Sequence, residues 1–170
     1  NAGLLKEVLP SFSNHGLEVR VYDQVEADPS EATVLDAVSL AKAHNVDLVI
    51  GFGGGSSMDV AKLVSAFADP LCTQTLVEGY GVDAISGGRL SLIQVPTTAG
   101  TGSEVTAVAI VTTGNTTKAG LVSQVLLADL AVLDPSLSVG LPPEVTAATG
   151  IDAMVHAIEA FTSAHKKNPI

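Results

Sequence analysis

The chain has 170 residues, 46% of them apolar and only 4% aromatic, enough for one sizeable core packed from aliphatic side chains. Eighteen acids against eight bases leave a net charge of −10, which argues against nucleic acid or an anionic membrane as partner. Cys72 is the single cysteine, so neither a disulfide framework nor a cysteine-based zinc site fits within the chain. There is no apolar run near the roughly 20 residues of a membrane span and no signal-like opening, so the default compartment is the cytoplasm.

In chain order, "AGLLKEVLPSFSNHG" carries helical spacing at Leu4, Leu5, Val8, Leu9 and Phe12 and stops at Gly16, with Pro10 awkward inside it. "LEVRVY" reads as a strand. "DPSEATVLDAVSLAKAHN" opens on a cap signal at Ser30 and repeats apolar residues at Val34, Leu35, Val38 and Ala41, a second helix. "VDLVIGFG" has the look of a buried parallel strand, and "SMDVAKLVSAFA" returns to helix. "LSLIQVP", "AVAIVTT", "AGLVS" and "DLAVLDP" read as further strands, and from Pro142 to about Phe161 the spacing is helical again. This alternation predicts an α/β fold with a mostly parallel sheet and helices on its faces. The Pro- and Ser-rich "LDPSLSVGLPPEV" divides an α/β domain, residues 1–140, from the first helix of a helical domain, residues 141–170. Opening on a helix and closing just after one, the chain is expected to be part of a longer protein.

The glycine-rich turn in "VDLVIGFGGGSSMDVAK" is the first chemical signal. Gly53, Gly54 and Gly55 stand between a strand and a helix, with Ser56 where G-x-G-x-x-G would have its third glycine. Glycines let a ligand approach the main chain, and the helix start presents free N–H groups to a phosphate. The same glycines also suit a tight strand–helix turn. Asp59 then serves the helix dipole or a ligand contact equally well. The second signal is "VPTTAGTGSEVT", with four threonines, a serine and two glycines in twelve residues after a strand. It is either a capped turn or the polar wall of a nucleotide cleft. Lys118 stands beside a predicted strand, as a solvated lysine or a ribose or phosphate contact.

The third signal is "GIDAMVHAIEA". Asp152 and His156 are i and i+4 on a helix and point the same way, a carboxylate and an imidazole suited to Fe²⁺, Zn²⁺ or Mn²⁺. A first-turn Asp beside an interfacial His is the bland alternative. His165 falls on the opposite side of an ideal helix, and His15 and His44 sit where helix C-caps are expected.

Taken in one order, "GGGSSMDVAK", "PTTAGTGSEVT" and "LPPEVTAATGIDAMVHAIEA" resemble the iron-containing alcohol dehydrogenase family. The resemblance implies a Rossmann-like dinucleotide-binding domain followed by an all-helical domain, with the metal in the cleft between them. The chain would lack the first strand and most of the helical domain. Gly53, Gly54, Gly55 and Ser56 then match the pyrophosphate turn. Thr97, Thr98 and Thr101 match the threonines lining the cofactor, and Lys118 the lysine approaching its ribose. Asp152 and His156 match the first two of four metal ligands, the others being histidines further along. The implied reaction is hydride transfer between a small alcohol or aldehyde and NAD or NADP, with Fe²⁺ or Zn²⁺ as the Lewis acid on the substrate oxygen. Homo-oligomerisation is left open. So are a glycerol-dehydrogenase-type enzyme and, from another class, a non-catalytic nucleotide-binding or assembly fragment.

Overall fold

A computed structural model describes residues 3–114 and 116–164. Among the described residues the α-helices are α1 (Leu5–Asn14), α2 (Glu31–Ala43), α3 (Gly55–Phe67) and α4 (Pro143–Thr162). Six strands are β1 (Leu48–Gly53), β2 (Gly81–Val82), β3 (Ser91–Pro96), β4 (Val108–Thr113), β5 (Thr117–Val122) and β6 (Leu130–Ala131). Among the described residues, no helix is long and apolar enough to cross a membrane.

The helices begin and end where the chain chemistry directs. Ser30 caps α2 by accepting from the Thr33 N–H at 3.2 Å. Gly16 closes α1 at φ +72, with the Leu17 N–H reaching back to the Phe12 carbonyl (3.1 Å), the pattern of a Schellman motif. Asn45 closes α2 in the same way, at φ +47. His15 and His44 occupy the C-cap positions, as expected of them. Helix α1 continues through Pro10, which removes a backbone donor inside it.

The α/β class is as expected, but the strands form two sheets. Strands β1, β3 and β6 run parallel in that order, with Gly53 opposite Pro96 at one end of the β1–β3 ladder. The second sheet has the order β2-β5-β4, and there β4 and β5 are antiparallel, from Val108↔Val122 to Thr113↔Thr117. Gly114, at φ +59, follows directly on β4.

Helix α3 lies at the centre. It packs on β1 and β3 of one sheet, on β4 of the other, and on α2. Nine of its thirteen residues, Met58 and Val60–Phe67, are buried, as expected of a helix with little solvent face. The core joins Val34 and Val38 of α2, Leu63, Val64 and Phe67 of α3, Ala109 and Val111 of β4, and Leu121 of β5. Cys72 is half-buried against it.

Two expectations are corrected. "LEVRVY" forms no strand among the described residues, and Leu17 and Val21 are 56% and 45% exposed. Alternating apolar residues need a neighbouring strand to bond, and the edge of β4 is instead met by residues 28–30, through the Ser30↔Thr112 bridge. β1 is not buried on both faces: it is an edge strand, covered by α3 on one side, with Leu48 and Ile50 about two-fifths exposed.

The β6 end of the parallel sheet is held by one carboxylate. Asp129 takes a two-pronged grip from the Arg89 guanidinium (2.7 and 2.9 Å) and accepts from the Leu92 N–H (2.8 Å). These bonds, the Arg89 side chain first, pull its carboxyl from 3.8 down to about 2. A lowered pKa means that the contribution is complete above the ordinary carboxylate value and is lost as pH falls through about 2. The side chain is 55% exposed, so screening limits Asp129→Asn to a loss of roughly 1 kcal/mol at pH 7. Urea unfolding from pH 7 to pH 2 should show the gap between wild type and variant closing below about pH 4.

Candidate functional site

The site is built at the C-terminal ends of β1 and β3, where open α/β sheets bind ligands. Gly53 ends β1 at φ +155, Gly54 is the N-cap of α3, and Gly55 and Ser56 are its first two residues. The first helical turn leaves backbone N–H groups without carbonyl partners in the helix, and the dipole adds positive character there. The threonine-rich loop leaves β3 directly above this turn, anchored by the Thr97 N–H donating to the Gly53 carbonyl at 2.8 Å.

The glycines are required by close approach. A Cβ at Gly53 would come within 2.6 Å of Ser57 Oγ. One at Gly54 would meet Thr98 Cγ2 at 3.3 Å, and one at Gly55 would meet Thr101 Cγ2 at 3.1 Å. Loop and turn thus come so near at the threonines singled out in the sequence that one added methyl would touch them. Thr98 Oγ1 is buried and has no hydrogen-bond partner. An unpartnered hydroxyl beside the backbone donors of a half-buried helix start fits a polar ligand such as a pyrophosphate.

The far side of the loop meets α4. A Cβ at Gly100 (φ +159) would overlap the Thr149 carbonyl group, so the loop backbone lies directly on the helix. Asp152 and His156 follow Thr149 by three and seven residues and therefore share its face of α4. Their side chains stand together, His156 Nε2 3.4 Å from Asp152 Oδ2, and both are half-exposed. No third histidine, cysteine or acid joins them among the described residues, and His165 lies outside these. The pair is a donor set of the right kind for a divalent metal, but it is two ligands where zinc sites use three or four.

The structure brings together Gly53, Gly54, Gly55, Ser56, Thr97, Thr98 and Thr101. Lys118 is placed differently: it lies in β5 opposite Thr112, and its ammonium pairs with the Asp28 carboxylate. Three contributors escaped the sequence reading. Lys62 is fully buried under the loop and paired with Asp59. Gln94 lies buried in β3, donating to the Met58 carbonyl (3.0 Å), and its Oε1 fills the space that a side chain at Gly51 would take. Gly100 seats the loop on α4. The only sequence cue was the i, i+3 spacing of Asp59 and Lys62 on an otherwise apolar helix. A separate open depression of about 340 Å³, beside Cys72, lies at the other end of α3 and has no glycine turn or helix start.

A strand–Gly-turn–helix unit roofed by a hydroxyl-rich loop is the arrangement of an α/β protein with a phosphate-accepting turn at its strand ends. Residues 1–135 match the family described as iron-containing alcohol dehydrogenase, and the chain belongs to that family. It is 38% identical to a sulfoacetaldehyde reductase of Bilophila wadsworthia over 161 residues, 94% of this chain and 41% of that protein. It is 42% identical to long-chain-alcohol dehydrogenase 1 of Geobacillus thermodenitrificans over 165 residues, 95% of this chain and again 41% of that protein. Among solved structures, a 1,3-propanediol oxidoreductase superposes with a TM-score of 0.90 at 33% identity, over 98% of this chain and 43% of that one. A sulfoacetaldehyde reductase from Bifidobacterium kashiwanohense, in complex with NAD⁺, gives 0.88 at 32%, over 99% and 44%. The chain therefore spans about two-fifths of the length of the relatives it matches.

The contacts at the turn rank its glycines. Gly53→Ala places a side chain at positive φ and against Ser57, and should cost about 1–3 kcal/mol. Gly54→Ala needs Thr98 to give by only a few tenths of an ångström and should cost less. Urea midpoints of the two variants test that order; equal midpoints would mean that no backbone constraint acts at Gly53.

Proposed function

We propose that this chain is the cofactor-binding part of a metal-dependent alcohol dehydrogenase that moves a hydride between an alcohol or aldehyde and a nicotinamide dinucleotide. Residues 1–140 bind the cofactor, and residues 141–170 begin the helical domain that carries the metal. The observation that carries the reading is the unpartnered Thr98 hydroxyl, buried beside a glycine turn where any side chain would be crowded.

The backbone donors at Gly55 and Ser56 hold the pyrophosphate, with the dipole of α3 behind them. Gly53 and Gly54 keep side chains out of its way. Thr97, Thr98 and Thr101 form the wall facing it, Thr98 supplying a hydroxyl with no competing partner. Lys118 reaches the ribose by leaving Asp28; that exposed pair is worth at most about 1 kcal/mol, so a ribose contact competes with it readily. Asp152 and His156 are two of the metal's ligands, and the others are histidines of the helical domain, for which the greater length of the relatives leaves room. When bound, the metal supplies Lewis acidity to the substrate oxygen and the cofactor takes up the hydride.

The family's description supports iron over zinc, and the relative solved with NAD⁺ supports NAD over NADP. The relatives' names include a sulfoacetaldehyde reductase and a long-chain-alcohol dehydrogenase, so they support an alcohol or aldehyde substrate without fixing its size.

In the complete protein carrying this chain, alcohol oxidation should require added Fe²⁺ or Zn²⁺. Asp152→Ala or His156→Ala should each lower kcat/KM at least 100-fold while leaving NADH binding near the wild-type value. Full activity in both variants would overturn the metal assignment, and absence of NADH binding in the wild type would overturn the cleft.

A further inference from the structure

The ammonium of Lys62 is the most deeply buried charge in the described structure, with no exposed surface at all. Its Nζ donates to Ser103 Oγ at 2.8 Å, Thr106 Oγ1 at 3.1 Å and the Val108 carbonyl at 2.7 Å, with Asp59 Oδ1 at 3.3 Å. Asp59, one turn earlier on α3, reaches the same segment: it accepts from Ser103 Oγ (2.6 Å) and from the Ile110 N–H (3.1 Å). A pair of charges on one helix thereby holds the return limb of the threonine-rich loop, from Ser103 to Ile110. The outgoing limb is held by the Thr97–Gly53 bond. Between these anchors lie Thr98 and Thr101, pressed against Gly54 and Gly55.

We propose that Lys62, acting with Asp59, is a positioning residue for the nucleotide cleft: it fixes the height of the threonine-rich loop above the glycine turn and so sets the affinity for the dinucleotide. This rests on reading that cleft as the cofactor site. Lys62 is no phosphate ligand itself, because its three protons are already engaged and none of it is open to a ligand. Nor is core stability a sufficient reason for it. Burial disfavours the charged amine and pulls its pKa below the ordinary 10.5, against the opposing pull of Asp59 and Glu104. An apolar pair of the same volume would often serve a core equally well. What an apolar pair lacks is direction. Three short bonds of fixed geometry, two to hydroxyls and one to the main chain, leave the loop a single height. The loop's own side chains, small and polar, have too little apolar area to set it.

The test uses the complete protein, with NADH and NADPH titrated separately by fluorescence and with kcat and cofactor KM measured. Lys62→Met should raise the cofactor Kd and KM about tenfold or more, while kcat at saturating cofactor falls less than threefold and metal content stays unchanged. Thr106→Val keeps the side-chain shape and removes one acceptor; it should raise Kd about threefold without exposing the core. Should Lys62→Met fail to fold, as judged by circular dichroism, Thr106→Val decides, and an unchanged Kd there overturns the proposal. A folded Lys62→Met with wild-type Kd also overturns it, as does an equal loss in kcat and in affinity, which would mark a merely structural role. These outcomes are distinct from failure of the cleft reading, in which the wild type itself binds neither dinucleotide.

Discussion

The fold depends on a helix that has almost no water-facing side. α3 packs against the parallel sheet on one flank and the mixed sheet on the other, and its N-terminus forms the floor of the candidate site. A helix buried in this way cannot use a polar face to set its depth or rotation. Its orientation rests on shape, through Met58, Leu63 and Phe67, and on its two charged residues, Asp59 and Lys62. These two face the loop, so the residues that orient the helix also orient the roof of the cleft. Stability and site geometry are coupled there by construction, and the Arg89–Asp129 grip near β6 lies apart from that coupling.

That coupling explains the crowding at the turn. The backbone donors at the start of α3 serve a phosphate only if nothing intrudes from above or below. From below, Gly51 yields its side-chain space to Gln94, whose amide donates to the Met58 carbonyl in the first turns of α3. From above, Thr98 and Thr101 come close enough that only glycine fits beneath them at 54 and 55 without some adjustment. Gly53 adds a backbone conformation that side chains rarely adopt. Three consecutive glycines therefore reflect three different constraints: φ at 53, the contact with Thr98 at 54, and the contact with Thr101 at 55.

The parts legible in the sequence are those governed by local rules. Caps at Ser30 and Gly16, the strand–glycine–helix unit, the i, i+4 pair on α4 and the C-cap histidines all follow from spacing and residue type. The parts that were not legible depend on partners distant in the chain. "LEVRVY" has strand composition but no strand to bond, and "VDLVIGFG" looks doubly buried because a β-branched run does not reveal that it ends up at a sheet edge. The antiparallel β4–β5 pairing was hidden by the expectation that strands after a βαβ unit continue parallel. Lys62 was passed over because lysine is rarely fully buried. Its acceptors, Ser103, Thr106 and Val108, lie more than 40 residues away, where no periodicity points.

The threonine-rich loop ties the glycine turn to the part of α4 that bears Asp152 and His156. α4 has no buried residue among those described, and Ile151, Met154, Val155 and Ile158 form an exposed apolar stripe beside the ligand pair. Burial therefore does not fix the rotation of α4 within this chain. The backbone contact at Gly100 does constrain it, because the Thr149 carbonyl lies where any side chain at 100 would stand. The same loop is held to α3 by Lys62 and Asp59 and to the turn through Thr97. A shift of the loop would displace Thr98 and Thr101 and the face of α4 that bears Asp152 and His156 together. If the proposed hydride transfer is right, the two reacting groups must be held at near-contact distance, and a single loop gripped on both flanks is a short mechanical route to that requirement.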